Sequence, residues 1–131
     1  MMVLLGTQEA ASEVQPQVFD QFDADRDETL MQWLWTWGGK SFGYRDGDDL
    51  WTQDGRHVGH FQGDDIYGSD GSYLGEIRNQ NRLITSTSKK HWRRYTFTPH
   101  ARRVGYIPYV DYVGYVMYVG YQDFPGPEKF S

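Results

Sequence analysis

From Leu30 to Trp37 the chain alternates with period two, which puts Met31, Trp33, Trp35 and Trp37 on one face of a predicted strand. Gly38-Gly39 then supplies a turn. Beyond it the pattern recurs every 16 residues: Gly39, Gly55 and Gly71 open successive units. Phe42, Val58 and Leu74 follow, each ahead of a glycine at 43, 59 and 75. Gly47 and Gly63 match, with Asn79 in the same column, and Leu50-Trp51 and Ile66-Tyr67 match with Arg82-Leu83. Agreement at one fixed spacing is the signature of a repeat architecture.

Each unit divides into two short strands and two turns. Asp54-Gly55 and Asp70-Gly71 have the residue types of a two-residue type I′ hairpin, and the segments around Gly47 and Gly63 make the second turn. The glycine inside the strand marks a bulge or a close backbone approach. Leu34-Trp35 stands one period before Leu50-Trp51, so the hydrophobic pair occurs at 34/35, 50/51, 66/67 and 82/83. The expected fold is all-β: repeated 16-residue hairpins around a pseudo-four-fold axis, closed or nearly closed, leaving few bare strand edges.

Ser41-Phe42-Gly43-Tyr44-Arg45-Asp46-Gly47-Asp48-Asp49-Leu50-Trp51 and Gly55-Arg56-His57-Val58-Gly59-His60-Phe61, with Asp65-Ile66-Tyr67, resemble the bacterial 4-fold beta flower proteins. The resemblance covers about residues 30–86 and implies hairpins set around a pseudo-four-fold axis, with no activity to carry over. MORN and WG-type repeats have longer periods.

The flanks read differently. Residues 1–29 form an acidic arm in which 7–15 have the makings of a short helix limited by Pro16. The repeat domain is expected over 30–98, with one more strand at Trp92–Phe97, and a tail over 99–131 packed on the domain or on a partner subunit. In that tail Tyr106, Tyr109, Tyr112, Tyr115, Tyr118 and Tyr121 recur at spacing three, each of the first five followed by Ile107, Val110, Val113, Val116 or Val119. Three residues per turn fits neither strand nor α-helix but does fit a left-handed extended helix, with every tyrosine on one stripe. A strand would instead put tyrosines on both faces. The uncharged run Tyr112–Tyr121 is expected to be covered, since left bare it invites aggregation.

Length and composition narrow the class. At 131 residues one domain is expected, with 38% apolar residues, 17% aromatics, 15 glycines and no cysteine. Disulfides and thiolate chemistry are excluded. No signal peptide or membrane-length apolar run appears, so a soluble, cytoplasmic protein is the expectation. Charge is segregated: residues 1–77 hold 15 acids and 4 bases, 78–103 hold eight bases and no acid, and the whole chain carries −5. The basic stretch either pairs with the chain's own acidic turns or faces an anionic partner.

Candidate chemistry is sparse. Phe22 to Leu30 imitates the start of an EF-hand loop, but Glu28 and Leu34 occupy the positions of the required glycine and glutamate. Asp46, Asp48, Asp49, Asp64 and Asp65 gather at equivalent turns. His57 and His60 fall on opposite faces of a regular strand, and with His91 and His100 they show no zinc spacing. Lys89, Lys90, Trp92, Arg93, Arg94, Arg102 and Arg103 interleave cations with aromatics, the combination that holds single-stranded nucleic acid. No catalytic motif, metal set or cofactor motif emerges. The leading reading is a non-enzymatic interaction or structural module with a protein partner or a second copy of itself. Nucleic-acid or anion binding at 89–103 is the first alternative, and carbohydrate or small-molecule binding on aromatic faces is the second.

Overall fold

The computed structural model describes residues 31–130. The expected N-terminal arm, its helix and the EF-hand-like run up to Leu30 lie outside the described residues.

Seven strands follow one another around a closed barrel: β1 (Met31–Thr36), β2 (Ser41–Asp46), β3 (Asp49–Thr52), β4 (His57–Gln62), β5 (Asp65–Tyr67), β6 (Tyr73–Arg78) and β7 (Arg82–Ser86). Neighbours are antiparallel, and an odd count makes the first and last strands run the same way. The closing pair β1–β7 is therefore parallel and short, with Trp35 opposite Arg82 and Thr36 opposite Leu83. The rest of that edge of β7 is taken by β8 (Tyr121–Asp123), antiparallel to it. The Asp123 carboxylate accepts the Gly38 N–H, which ties β8 to the end of β1. The last strand of the chain thus stands where a fourth hairpin would have its missing half.

A bulge recurs in every unit. Leu34 faces Gly43 while Trp35 faces Ser41, and the same skip occurs between Leu50 and Trp51 and between Ile66 and Tyr67. The extra residue is Phe42, Val58 or Leu74, and such bulges bend and twist strands toward closure. The glycine after each bulge lets strands touch: a Cβ on Gly43 would stand 2.0 Å from the Trp51 carbonyl oxygen. Leu34, Phe42, Leu50, Phe61, Ile66, Leu83 and Phe124 fill the barrel core.

Two expectations about turns are corrected. The loops ending at Gly39, Gly55 and Gly71 are not type I′, since only the glycine takes positive φ (98°, 91° and 84°). Thr52 accepts from Gly55 and donates to Arg56, the pattern of a three-residue loop in which a type I turn precedes a left-handed glycine. The aspartate keeps ordinary φ, and its carboxylate serves the loop: Asp54 accepts from the Thr52 hydroxyl and Asp70 from Ser72. The third inter-hairpin loop is one residue longer than the first two, with Asn79 and Gln80 both at positive φ. The fourth buried pair is therefore Leu83-Ile84 rather than Arg82-Leu83.

After Ser86 the chain makes a 3-10 turn at Thr87–Lys89 and then runs without helix or strand from 95 to 118. The strand expected at Trp92–Phe97 is absent; only Arg93 bridges, to Ser72. The segment instead follows one end of the barrel, meeting the third, second and first hairpin loops in turn. Arg94 donates its N–H to the Gly71 carbonyl, Arg103 to Gly55 and Tyr112 to Gly39, at 2.7–2.8 Å. Three residues further on, Phe97, Tyr106 and Tyr115 donate to Ser69, Gln53 and Trp37. Among the described residues no helix is long and apolar enough to cross a membrane.

Gly55→Ala tests this packing, because a Cβ there would stand 2.0 Å from the Arg103 carbonyl oxygen at a φ of 91°. Urea unfolding should show a loss of about 2 kcal/mol or more. At Gly47, where nothing lies within 4 Å of the added carbon, the loss should stay near 1 kcal/mol.

Candidate functional site

The barrel strands are covered on both faces. Their outer aromatic face receives the tail, whose every third side chain points inward. Tyr106 and Tyr109 meet Trp33 edge-on with ring centres 5.2 and 4.7 Å apart. Tyr112 stacks on Trp35 at 3.9 Å, and Tyr115 and Tyr118 pack on Trp37. Tyr121 enters β8, where its hydroxyl accepts from Arg78. The indole N–H groups of Trp35 and Trp37 donate to the carbonyls of Val110 and Val116. Tyr106 to Tyr118 therefore form a single stripe without strand pairing, and it faces the barrel, while Tyr121, in β8, pairs with Ser86. Each such aromatic pair contributes about 0.5–1.5 kcal/mol beyond its buried area.

Arg82 of β7 reaches the same layer from within. It is almost fully buried, donates to the carbonyls of Trp37 and Val113, and lies 4.1 Å over the Tyr115 ring. Carbonyls and ring faces, not a carboxylate, hold this cation.

The basic residues are dispersed among the hairpins. Arg103 pairs with Asp46 at 2.8 Å and lies 3.8 Å over the Trp51 ring. Arg102 reaches Asp54, and Lys89 bridges Asp65 and Glu76, both at 3.1 Å. Arg94 lies over Tyr67, Trp92 packs on Tyr73, Lys90 bonds Gln122, and Arg93 is exposed near Asp70. Four of the turn aspartates meet separate partners, Asp46 with Arg103, Asp48 with Arg45, Asp49 with histidines and Asp65 with Lys89.

One cluster escaped the sequence reading. The bulge at Val58 puts His57 and His60 on the same face of β4, since they pair with Trp51 and Asp49 of β3. The expectation of opposite faces is overturned for that reason. Asp49 Oδ1 lies 3.1 Å from His57 Nε2 and 3.3 Å from His60 Nδ1, and its Oδ2 lies 3.2 Å from His100 Nε2. Asp49, His57 and His100 have the proximity of a metal set. Hydrogen bonding argues otherwise. His57 Nδ1 accepts the His100 N–H at 2.9 Å, so its neutral ring carries the proton on Nε2, aimed at Asp49 and the Gly59 carbonyl. A protonated nitrogen cannot ligate, and two donors remain. The cluster acts as a latch that fastens the tail at His100 to the barrel. His91 is exposed and takes no part.

A second period in the tail was also missed. Arg94, Arg103 and Tyr112 occupy equivalent places, as do Phe97, Tyr106 and Tyr115, so the tail repeats every nine residues against the 16-residue units. Pro99 and Pro108, and Gly105 and Gly114, carry that spacing in the sequence.

Residues 22–112 match the sequence model of the 4-fold beta flower proteins. The chain belongs to that family. No curated protein and no solved structure matches it. The family match is wider than the repeats alone, since it runs beyond the flower's barrel strands to Tyr112, the third tail contact with a loop glycine. Val113 to Val119 and β8 lie past the matched part.

Two groups of the barrel contribute to the flower's acid response. They act beside the loop carboxylates of Asp54 and Asp70, which hydrogen bonds from Thr52 and Ser72 also hold below their ordinary value. Burial, with the charge of His100 and against the pull of Asp49, holds the His57 imidazole below its ordinary 6.5. Burial raises Glu76, but hydrogen bonds from Arg78 and Lys89 outweigh it and leave the carboxyl below its ordinary 4.5. Both groups bind more protons unfolded than folded, so stability rises with pH through each window. The melting temperature should be highest above pH 6.5, fall as His57 is forced to charge, and fall again below pH 4.5. His57→Gln should flatten the first decline and Glu76→Gln the second, as read by calorimetry over that range.

Proposed function

We propose that this protein is a non-enzymatic interaction scaffold whose working surface is the outer row of the tail. One observation carries the reading. While the tyrosines turn inward, Val104, Ile107, Val110, Val113, Val116 and Val119 point outward, each 78–102% exposed. Contiguous apolar patches on soluble proteins are usually small, and larger ones mark contact sites. Burying such a side chain stabilises a complex by about 1.5–3 kcal/mol. Six of them total about 9–18 kcal/mol, of the same order as an association cost of about 4–15 kcal/mol, which suits a reversible contact.

The row is held in place for this role. Carbonyls within it accept from Trp35, Trp37 and Arg82, so the branched side chains stand on a backbone fixed to the barrel. The alternative at 89–103 has less support, because Lys89, Arg102 and Arg103 already sit against the chain's own carboxylates.

An environment-sensitive hydrophobic dye should bind the wild-type protein and lose most of its signal in Val110→Asp/Val113→Asp/Val116→Asp. Unchanged near-ultraviolet dichroism would show that the fold persists. Dye binding that ignores the triple substitution would refute the reading. Retention on heparin should be weak and unaffected by Arg93→Ala/Arg94→Ala; tight, salt-sensitive retention lost in that variant would favour the anionic ligand instead.

A further inference from the structure

Resting on the reading of the aliphatic row as a contact face, we propose that its occupant is the same row of a second copy, paired about a two-fold axis. The spacing is the first reason. Outward side chains recur every three residues, about 9 Å apart in an extended chain rising about 3.1 Å per residue. That gap accepts one branched side chain, so two rows laid antiparallel interdigitate without changing either. A single surface that fits itself under a two-fold is the commonest way proteins pair.

Charge is the second reason. From Tyr112 to Tyr121 the tail carries no ionisable group other than tyrosine, so two copies meet there without like-charge repulsion. Over Val113, Val116 and Val119 the row therefore offers no charge by which a charged partner would be chosen over a second copy; Asp111, earlier in the row, is engaged by the Ser41 N–H. The basic residues, which would repel one another across a dyad, lie earlier in the chain, with Lys89, Arg102 and Arg103 paired to acids.

Area is the third. Each branched side chain offers on the order of 100 Å², and six offer roughly 600 Å² per copy. Tyr109, Tyr112, Tyr115 and Tyr118, which flank the row, are still 43–50% exposed and extend it. The sum approaches the roughly 800 Å² that each partner contributes to a standard interface.

Sedimentation equilibrium of the full chain from micromolar to millimolar protein tests the pairing. Mass should rise from 15.3 kDa toward twice that value, and added salt should leave the association intact or strengthen it. Val113→Asp/Val116→Asp should weaken it by at least about a hundredfold, with an unchanged melting temperature. A monomer at every concentration would overturn the inference, as would a dimer indifferent to the substitutions or one dissolved by salt. A monomer whose row still binds the hydrophobic dye would leave the contact-face reading standing while removing the second copy as its occupant.

Discussion

The carbonyl oxygens of Arg94, Arg103 and Tyr112 occupy the space where a side chain on Gly71, Gly55 and Gly39 would stand, 2.0–2.2 Å from the missing carbon. That contact decides how the tail lies. A loop glycine at positive φ is ordinary in a hairpin, but here the same residue also admits another backbone. Once the tail is seated at three loops, its stripe of every third side chain has no choice but to face the outer aromatic surface. The tyrosines then cover tryptophans that a bare seven-stranded barrel would expose, and the valines and isoleucine are left outside. Core, cover and exposed row follow from one point of closest approach repeated three times.

Closure of the barrel depends on the same segment. Seven alternating strands end in a parallel seam only two residue pairs long. By returning along β7, β8 pairs the rest of that edge, and Phe124 behind it enters the core against Phe42. The N-terminal strand and the C-terminal strand therefore share one edge of one strand. Through β8 and Phe124 the tail shares an edge and a core with the barrel.

Much of this was written locally. Glycine columns, a period-two tryptophan strand and a fixed spacing specify hairpins, because turns and alternation are properties of neighbours in sequence. The stripe of tyrosines announced three residues per turn, yet not which side would face the barrel, since that depends on carbonyls fifty or more residues away. The histidine cluster was hidden for a sharper reason. Counting two residues per repeat puts His57 and His60 on opposite faces, and one bulged residue reverses the count. The longer loop at Asn79-Gln80-Asn81 likewise shifted the last hydrophobic pair by one. Short insertions inside a regular pattern are where reading by period fails.

A repeating tail on a repeating rim raises a problem of register. Moved along by nine residues, Tyr112 would lie at Gly55 and could donate the same backbone hydrogen bond as Arg103 does. Backbone contacts alone would hardly separate the two arrangements. The side chains that break the repeat do separate them. In the shifted register Tyr109 would replace His100 beside Asp49, and Tyr112 would replace Arg103 at Asp46. The same register demands Gly120 where Asp111 accepts the Ser41 N–H, and the opposite slip puts Arg102 there. Either slip also draws Phe124 and β8 away from their places. Surface ion pairs such as Arg102–Asp54 contribute little stability individually. Their value here lies in differing from one unit to the next, so that a segment bound by near-identical contacts has one lowest-energy position.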